Sequence, residues 1–211
     1  MSGPSQGTVS SPKPVVVVNL AAVAADCRGV QMLPSGSTAD ALLVVRAQLG
    51  DRRSLAELVT RWHEPVRRYV HRMVTDLDIA DDVGQQVWAR ALKALPGLNQ
   101  PERFAPWLFT IARRSVMDWL AEKYGRGEVH TADDVAIDDH APAVLDRAQV
   151  ADGLAGLPAR EREVLILFYL QDFSLQECAE VLQVPAGTVK SRLFKARQLL
   201  KNQLTEKGYP A

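Results

Sequence analysis

Ser174-Leu175-Gln176-Glu177-Cys178-Ala179-Glu180-Val181-Leu182-Gln183-Val184-Pro185-Ala186-Gly187-Thr188-Val189-Lys190-Ser191-Arg192-Leu193-Phe194-Lys195-Ala196-Arg197 reads as two helices and the turn between them. Ser174 and Glu177 have the spacing of a capping box, in which the serine hydroxyl accepts from the Glu177 amide and the Glu177 carboxylate reaches back. Leu175, Ala179 and Leu182 make a short apolar stripe. Gln183-Val184-Pro185-Ala186-Gly187 is the turn, and a second helix follows from Thr188 to Leu204. Val189, Leu193, Ala196 and Leu200 lie on one side of that helix. Lys190, Ser191, Phe194 and Lys195 lie on the other. A capped helix, a tight turn and a basic amphipathic helix make a helix-turn-helix, whose second helix enters the major groove by its N-terminal end. The Lys and Ser side chains there can reach base edges. Arg192, Arg197 and Lys201 are placed for phosphates.

Upstream of the capping box, Arg160-Glu161-Arg162-Glu163 leads into Val164-Leu165-Ile166-Leu167-Phe168-Tyr169-Leu170, an apolar helix end expected in a core. Residues 127–152 differ sharply. They hold Glu128, Asp133, Asp134, Asp138, Asp139, Asp146 and Asp152 against the single base Arg147, a balance of −6. Gly127 and Pro142 complete the reading of a flexible acidic linker. From Pro185 to the end of the sequence the balance is +5. The formal net charge of zero therefore hides an acidic segment beside a basic terminal helix. It excludes a uniformly polybasic protein but not a local basic face.

Residues 39–126 read as helices. Leu55, Leu58, Val59, Trp62, Val66, Tyr69, Val70 and Met73 recur at steps of three and four, with Pro65 expected to kink or break the helix. Asp76 or Asp78 can cap a second helix carrying Ile79, Val83, Val87 and Ala91. Leu95 to Pro101 is a loop by its Pro and Gly content. A third helix is expected to open at Pro106. Phe104, Trp107, Phe109, Arg113, Arg114, Trp119, Lys123 and Arg126 interleave rings with cations, a pattern suited to single-stranded DNA and equally to a helix core. Asp81 and Asp82 near a helix N-terminus suit the helix dipole, and with Gln85 and Gln86 they alternatively offer an acid and amide face to a basic partner surface.

Residues 1–38 are rich in Ser, Gly and Pro and read as a disordered arm. Val15 to Ala24 within it imitates the apolar part of a signal peptide, but only Lys13 precedes it, so a cytoplasmic protein is expected. Residues 205–211 are a tail. Cys27 and Cys178 have no CxxC spacing. His63, His71, His130 and His140 lack metal spacing, and no HExxH, GxSxG or GxxxxGK[ST] occurs. No metal, cofactor, small-molecule substrate or enzymatic activity is expected. There is no strand pattern. The fold class is all-α, with two small helical domains, at 39–126 and 153–204, joined by the acidic linker at 127–152.

Three strings carry a resemblance. The first is Leu157-Pro158-x-x-x-Arg162-x-Val164-Leu165, followed by Ser174-x-x-Glu177-x-Ala179 and Val184-Pro185-x-Gly187-Thr188-Val189-Lys190-Ser191-Arg192-Leu193-x-x-Ala196-Arg197. The second is Ala80-Asp81-Asp82-x-x-Gln85. The third is Phe104-x-x-Trp107-Leu108-x-x-Ile111-Ala112-Arg113 followed by Asp118. Together they resemble regions four and two of the bacterial RNA polymerase sigma factors, in the extracytoplasmic-function group of the sigma-70 family, over about residues 40–204. The resemblance implies that Asp81, Asp82, Gln85 and Gln86 bind the largest subunits of core polymerase. It implies that the loop from Pro96 to Arg103 and the helix after it capture the melted non-template strand of the minus-ten element, with Asn99, Arg103, Trp107, Arg113, Arg114 and Lys123 as contacts. It implies that Thr188, Lys190, Ser191, Arg192, Phe194, Lys195 and Arg197 read the duplex minus-thirty-five element. An anti-sigma protein is the further partner implied, and the linker would run through the polymerase's RNA path. The segment after Asp118 is less basic than is common in that family. Two alternatives use the same residues: an adaptor that mimics a sigma factor and sequesters an anti-sigma protein, and a plain helix-turn-helix regulator. The second gives no role to the Asp81–Gln85 face.

Overall fold

The computed structural model describes residues 38–74, 76–124 and 153–206. The arm, the acidic linker and nearly all of the tail lie outside them. The described residues form seven α-helices, a further helical stretch at 153–155, short 3-10 and π turns, and no strand. In the first lobe α1 is Thr38–Gln48, α2 is Arg52–Met73, α3 is Leu77–Ala94 and α4 is Phe104–Tyr124. In the second lobe α5 is Ala159–Leu165, α6 is Leu175–Leu182 and α7 is Ala186–Glu206.

Local chemistry sets the helix ends. Asp51 caps α2, accepting from the Arg53 amide at 2.9 Å and the Ser54 hydroxyl at 2.7 Å. These two donors hold its carboxyl below the usual range. Between α1 and α2 the chain turns at Gly50 with φ of 94°, a conformation that side chains with a Cβ disfavour. Asp76 is the cap of α3, accepting from the Ile79 amide. Pro65 does not break α2, which runs unbroken for 22 residues. Its ring sits on the buried face with Leu58, Trp62, Val66, Tyr69 and Val70, so packing on both sides outweighs the lost backbone donor. The loop after α3 is two 3-10 turns, Leu95–Gly97 and Pro101–Arg103, tied down by Gln48, whose Nε2 donates to the carbonyls of Leu95 and Leu98 at 2.9 Å. Helix α4 opens at Phe104, two residues before Pro106, because the second 3-10 turn feeds directly into it.

In the second lobe both hydrogen bonds of the Ser174–Glu177 capping box are present. Gln183 ends α6 in the left-handed region, with φ of 55°. The apolar run after α5 is not regular helix: Ile166–Leu170 is a π turn. Ile166 and Leu167 are core, whereas Phe168, Tyr169 and Leu170 are half-buried. Val189, Leu193, Ala196, Leu200 and Leu204 bury one side of α7. Gly156 presents its carbonyl to Gln203 Nε2 at 2.6 Å, in space that a Cβ would fill.

The two lobes pack directly on one another. Phe173, just before α6, stands edge-on to Phe109 of α4 with centroids 5.0 Å apart, and Phe109 meets Tyr69 of α2 at 5.4 Å. Replacing Ser174 by Ala is expected to cost about 1 kcal/mol and lower the melting temperature by about 2–4 °C, read by thermal denaturation followed by circular dichroism.

Candidate nucleic-acid interface

The side of α7 opposite its buried stripe is open. Lys190, Ser191, Phe194, Lys195 and Arg197 are exposed, and Phe194 leaves 59% of its surface to solvent. An exposed aromatic ring among cations suits an apolar contact such as a thymine methyl. Two of the cations are held from below. Lys195 Nζ lies 2.8 Å from Glu161 Oε1, and Arg197 Nη1 lies 3.3 Å from the Tyr169 hydroxyl. The Ser191 hydroxyl donates to the Thr188 carbonyl at 3.0 Å. Thr188 and Arg192 are half-buried, and the Arg192 charge acts inward on Glu163.

The first-lobe candidates divide. Asn99, Arg103, Arg114 and Lys123 are exposed and Trp107 is half-buried. Phe104 and Phe109 are core, edge-on to Trp62, so the aromatic–cation pattern of α4 is partly the bundle's own packing. Trp107 lies tilted against Phe104 at 5.7 Å and lines an apolar cleft with Trp88 and Leu92. The Lys123 ammonium sits over the Trp119 ring at 5.0 Å. Asp118 receives Arg90 at 2.8 Å, which neutralises one acid beside this surface.

On α3, Asp81, Asp82, Gln85 and Gln86 are all exposed on one face. Asp81 Oδ1 contacts His71 Nε2 of α2 at 2.9 Å. Asp82, Gln85 and Gln86 project beyond it.

Sequence reading missed the acids that face the candidate cations. Glu163 has 1% of its side chain exposed and lies 3.1 Å from Arg113 Nε, as an ion pair. The Tyr69 hydroxyl donates to the same carboxylate oxygen at 2.9 Å. Burial pushes the Glu163 carboxyl up, while the Arg113 guanidinium, the Tyr69 hydroxyl and the Arg192 charge oppose that shift. Burial pushes the Tyr69 phenol up strongly, and the adjacent Glu163 adds to it. Arg103 Nη2 lies 3.2 Å from Glu180 Oε1 of α6. Only the alternation of charges in Arg160-Glu161-Arg162-Glu163 hinted at these roles, and it did not say which partner lay across the seam.

No cluster of three or more metal-ligating side chains occurs among the described residues. Burial pushes the Cys178 thiol up to about 12, so it is no thiolate nucleophile at neutral pH. No helix among the described residues is long and apolar enough to cross a membrane.

Two family models match the chain: Sigma-70 region 2 over residues 58–126, and Sigma-70, region 4 over residues 147–200. The RNA polymerase sigma-H factor of Pseudomonas aeruginosa is 31% identical, over 78% of this chain and 93% of that protein. The ECF RNA polymerase sigma factor SigW of Bacillus subtilis is 26% identical, over 77% of this chain and 95% of its own length. Among solved structures, CnrH in complex with the cytosolic domain of CnrY superposes with a TM-score of 0.63 at 27% identity, over 80% of this chain and 98% of the other.

Replacing Tyr69 by Phe removes a donor from a buried carboxylate. The expected loss is about 1–3 kcal/mol of stability, measured by urea denaturation.

Proposed function

This chain belongs to the sigma-70 family of RNA polymerase sigma factors, in its extracytoplasmic-function group, and from that premise we propose how its residues divide the work of promoter recognition. Residues 39–126 act as region two and residues 153–204 as region four, joined by the acidic linker at 127–152. The observation that carries the reading is the open face of α7. Its N-terminal half presents Lys190, Ser191, Phe194 and Lys195 outward while Val189, Leu193 and Ala196 anchor the opposite side. Base edges of the minus-thirty-five duplex meet that face, with Thr188 at its start and Arg192 and Arg197 towards phosphates.

Core polymerase docks on the exposed face of α3. Asp81, Asp82, Gln85 and Gln86 offer carboxylates and amides to a basic surface of the largest subunits, and charge complementarity there speeds encounter. The melted non-template strand lies along the turns before α4 and along α4 itself. Asn99 and Trp107 meet bases, while Arg103, Arg113, Arg114 and Lys123 meet phosphates. Capture of unstacked bases offsets an opening cost of a few kcal/mol per step. Polymerisation and its metal ions belong to the core enzyme, so this chain's own role is non-enzymatic, exercised in the cytoplasm. An anti-sigma protein is a further partner, supported by the solved relative's capture with another protein's domain.

Lys190→Ala and Lys195→Ala are each expected to cost about 1–3 kcal/mol of promoter affinity while the fold is kept. Run-off transcription with core polymerase on a library varied at the minus-thirty-five element measures it, and wild-type selectivity in both variants would contradict the assignment. Asp82→Ala with Gln85→Ala is expected to reduce co-purification with core polymerase without lowering the melting temperature. Undiminished recovery would remove α3 from the contact.

A further inference from the structure

The cations on the outward side of α7 are not held alike. Lys195 Nζ is ion-paired to Glu161 Oε1 at 2.8 Å, whereas Arg197 Nη1 meets the Tyr169 hydroxyl at 3.3 Å. A hydroxyl leaves the guanidinium its full charge. A carboxylate cancels the ammonium. The side chain of Glu161 is 10% exposed and that of Lys195 is 65% exposed. Glu161 is carried on α5, which packs along α7, and Val164 and Leu165 of the same helix are core. The carboxylate is therefore the fixed point and the lysine the flexible partner. An untethered lysine ammonium, with three donors on a four-carbon stem, sweeps over neighbouring bases and phosphates. With one donor committed to Glu161, two remain for DNA. Two adjacent donors match the O6 and N7 acceptors that guanine presents side by side in the major groove. The neutral pair adds little to phosphate attraction, which needs an uncompensated cation.

We propose that Glu161 is a specificity-determining positioning residue of the duplex-reading helix: it stays paired with Lys195 on DNA, aims the two remaining donors at one guanine, and cancels the charge that would let Lys195 grip any phosphate. The inference rests on the reading of α7 as the minus-thirty-five helix, and Glu161 itself touches no base. The role has its own signature. Removing the Glu161 charge strengthens binding to DNA at large and blurs the choice of base, two effects of opposite sign. Loss of a merely structural contact would weaken the lobe and lower both together.

The test uses holoenzyme assembled from the full chain and core polymerase. Binding to a duplex promoter library randomised at the minus-thirty-five element, followed by sequencing, gives the preference at each position. Wild type should prefer guanine at one position, and Lys195→Ala should remove that preference. Glu161→Gln should lower the guanine preference at the same position by about fivefold or more and leave the other positions within about twofold. Its binding to random duplex DNA should tighten by about 3–10-fold, with the slope of log K against log salt steeper by about 0.9, the value for one added phosphate contact. In the Lys195→Ala background, Glu161→Gln should cause no further change in base preference, because no ammonium remains to be aimed. Glu57→Gln makes the same charge change on the first lobe and should leave base preference untouched. Circular dichroism shows whether Glu161→Gln folds. Glu161→Asp, which keeps the charge and withdraws the carboxylate by one methylene, decides if it does not: guanine preference should fall without tighter binding to random DNA. Wild-type preference at the Lys195 position in the Glu161 variants, or an equal loss at every position, would overturn the positioning role and leave the reading of α7 standing. So would a base other than guanine at that position, or an effect of Glu161→Gln on base preference that persists without Lys195. A wild-type holoenzyme with no base preference anywhere in the minus-thirty-five element would overturn both.

Discussion

A carboxylate with almost none of its surface in water must find its compensation in the protein. Glu163 finds it in Arg113 and Tyr69, both contributed by the other lobe. Isolated in an apolar interior, the ionised group would carry a penalty of several kcal/mol. Position thus follows from charge. The second lobe settles where α2 and α4 bring a guanidinium and a phenol to one point. The Phe109–Phe173 edge contact, with Tyr69 beside it, closes the surrounding apolar wall. The Arg162 guanidinium, reaching the Arg72 carbonyl at 3.4 Å, adds a polar contact on the α2 side.

Around that point the molecule separates its surfaces by chemistry. The outward face of α3 is acidic and amide-bearing, the outward face of α7 is basic with one bare ring, and the seam pairs the remaining charges internally. Support from within sharpens the basic face. Glu161 and Tyr169 hold Lys195 and Arg197 by their terminal atoms, which limits how far those long side chains wander before they meet DNA. The ordering cost is met when the domain folds rather than when it binds.

Most of the fold was legible in the sequence because most of its signals are local. The capping box, the turn at Gln183, the cap at Asp76 and the buried stripe of α7 are decided by residues within four positions of one another. Pro65 does not end α2 because a local rule met a long helix whose buried face held it on both sides. The start of α4 moved to Phe104 because the Pro101–Arg103 turn already had near-helical geometry. The π turn at Ile166–Leu170 was invisible, since an unbroken apolar run carries no period. The candidate site divided in the same way. The faces of α3 and α7 follow from helical spacing alone. The seam does not: Tyr69 and Glu163 stand 94 positions apart, and no spacing rule links them.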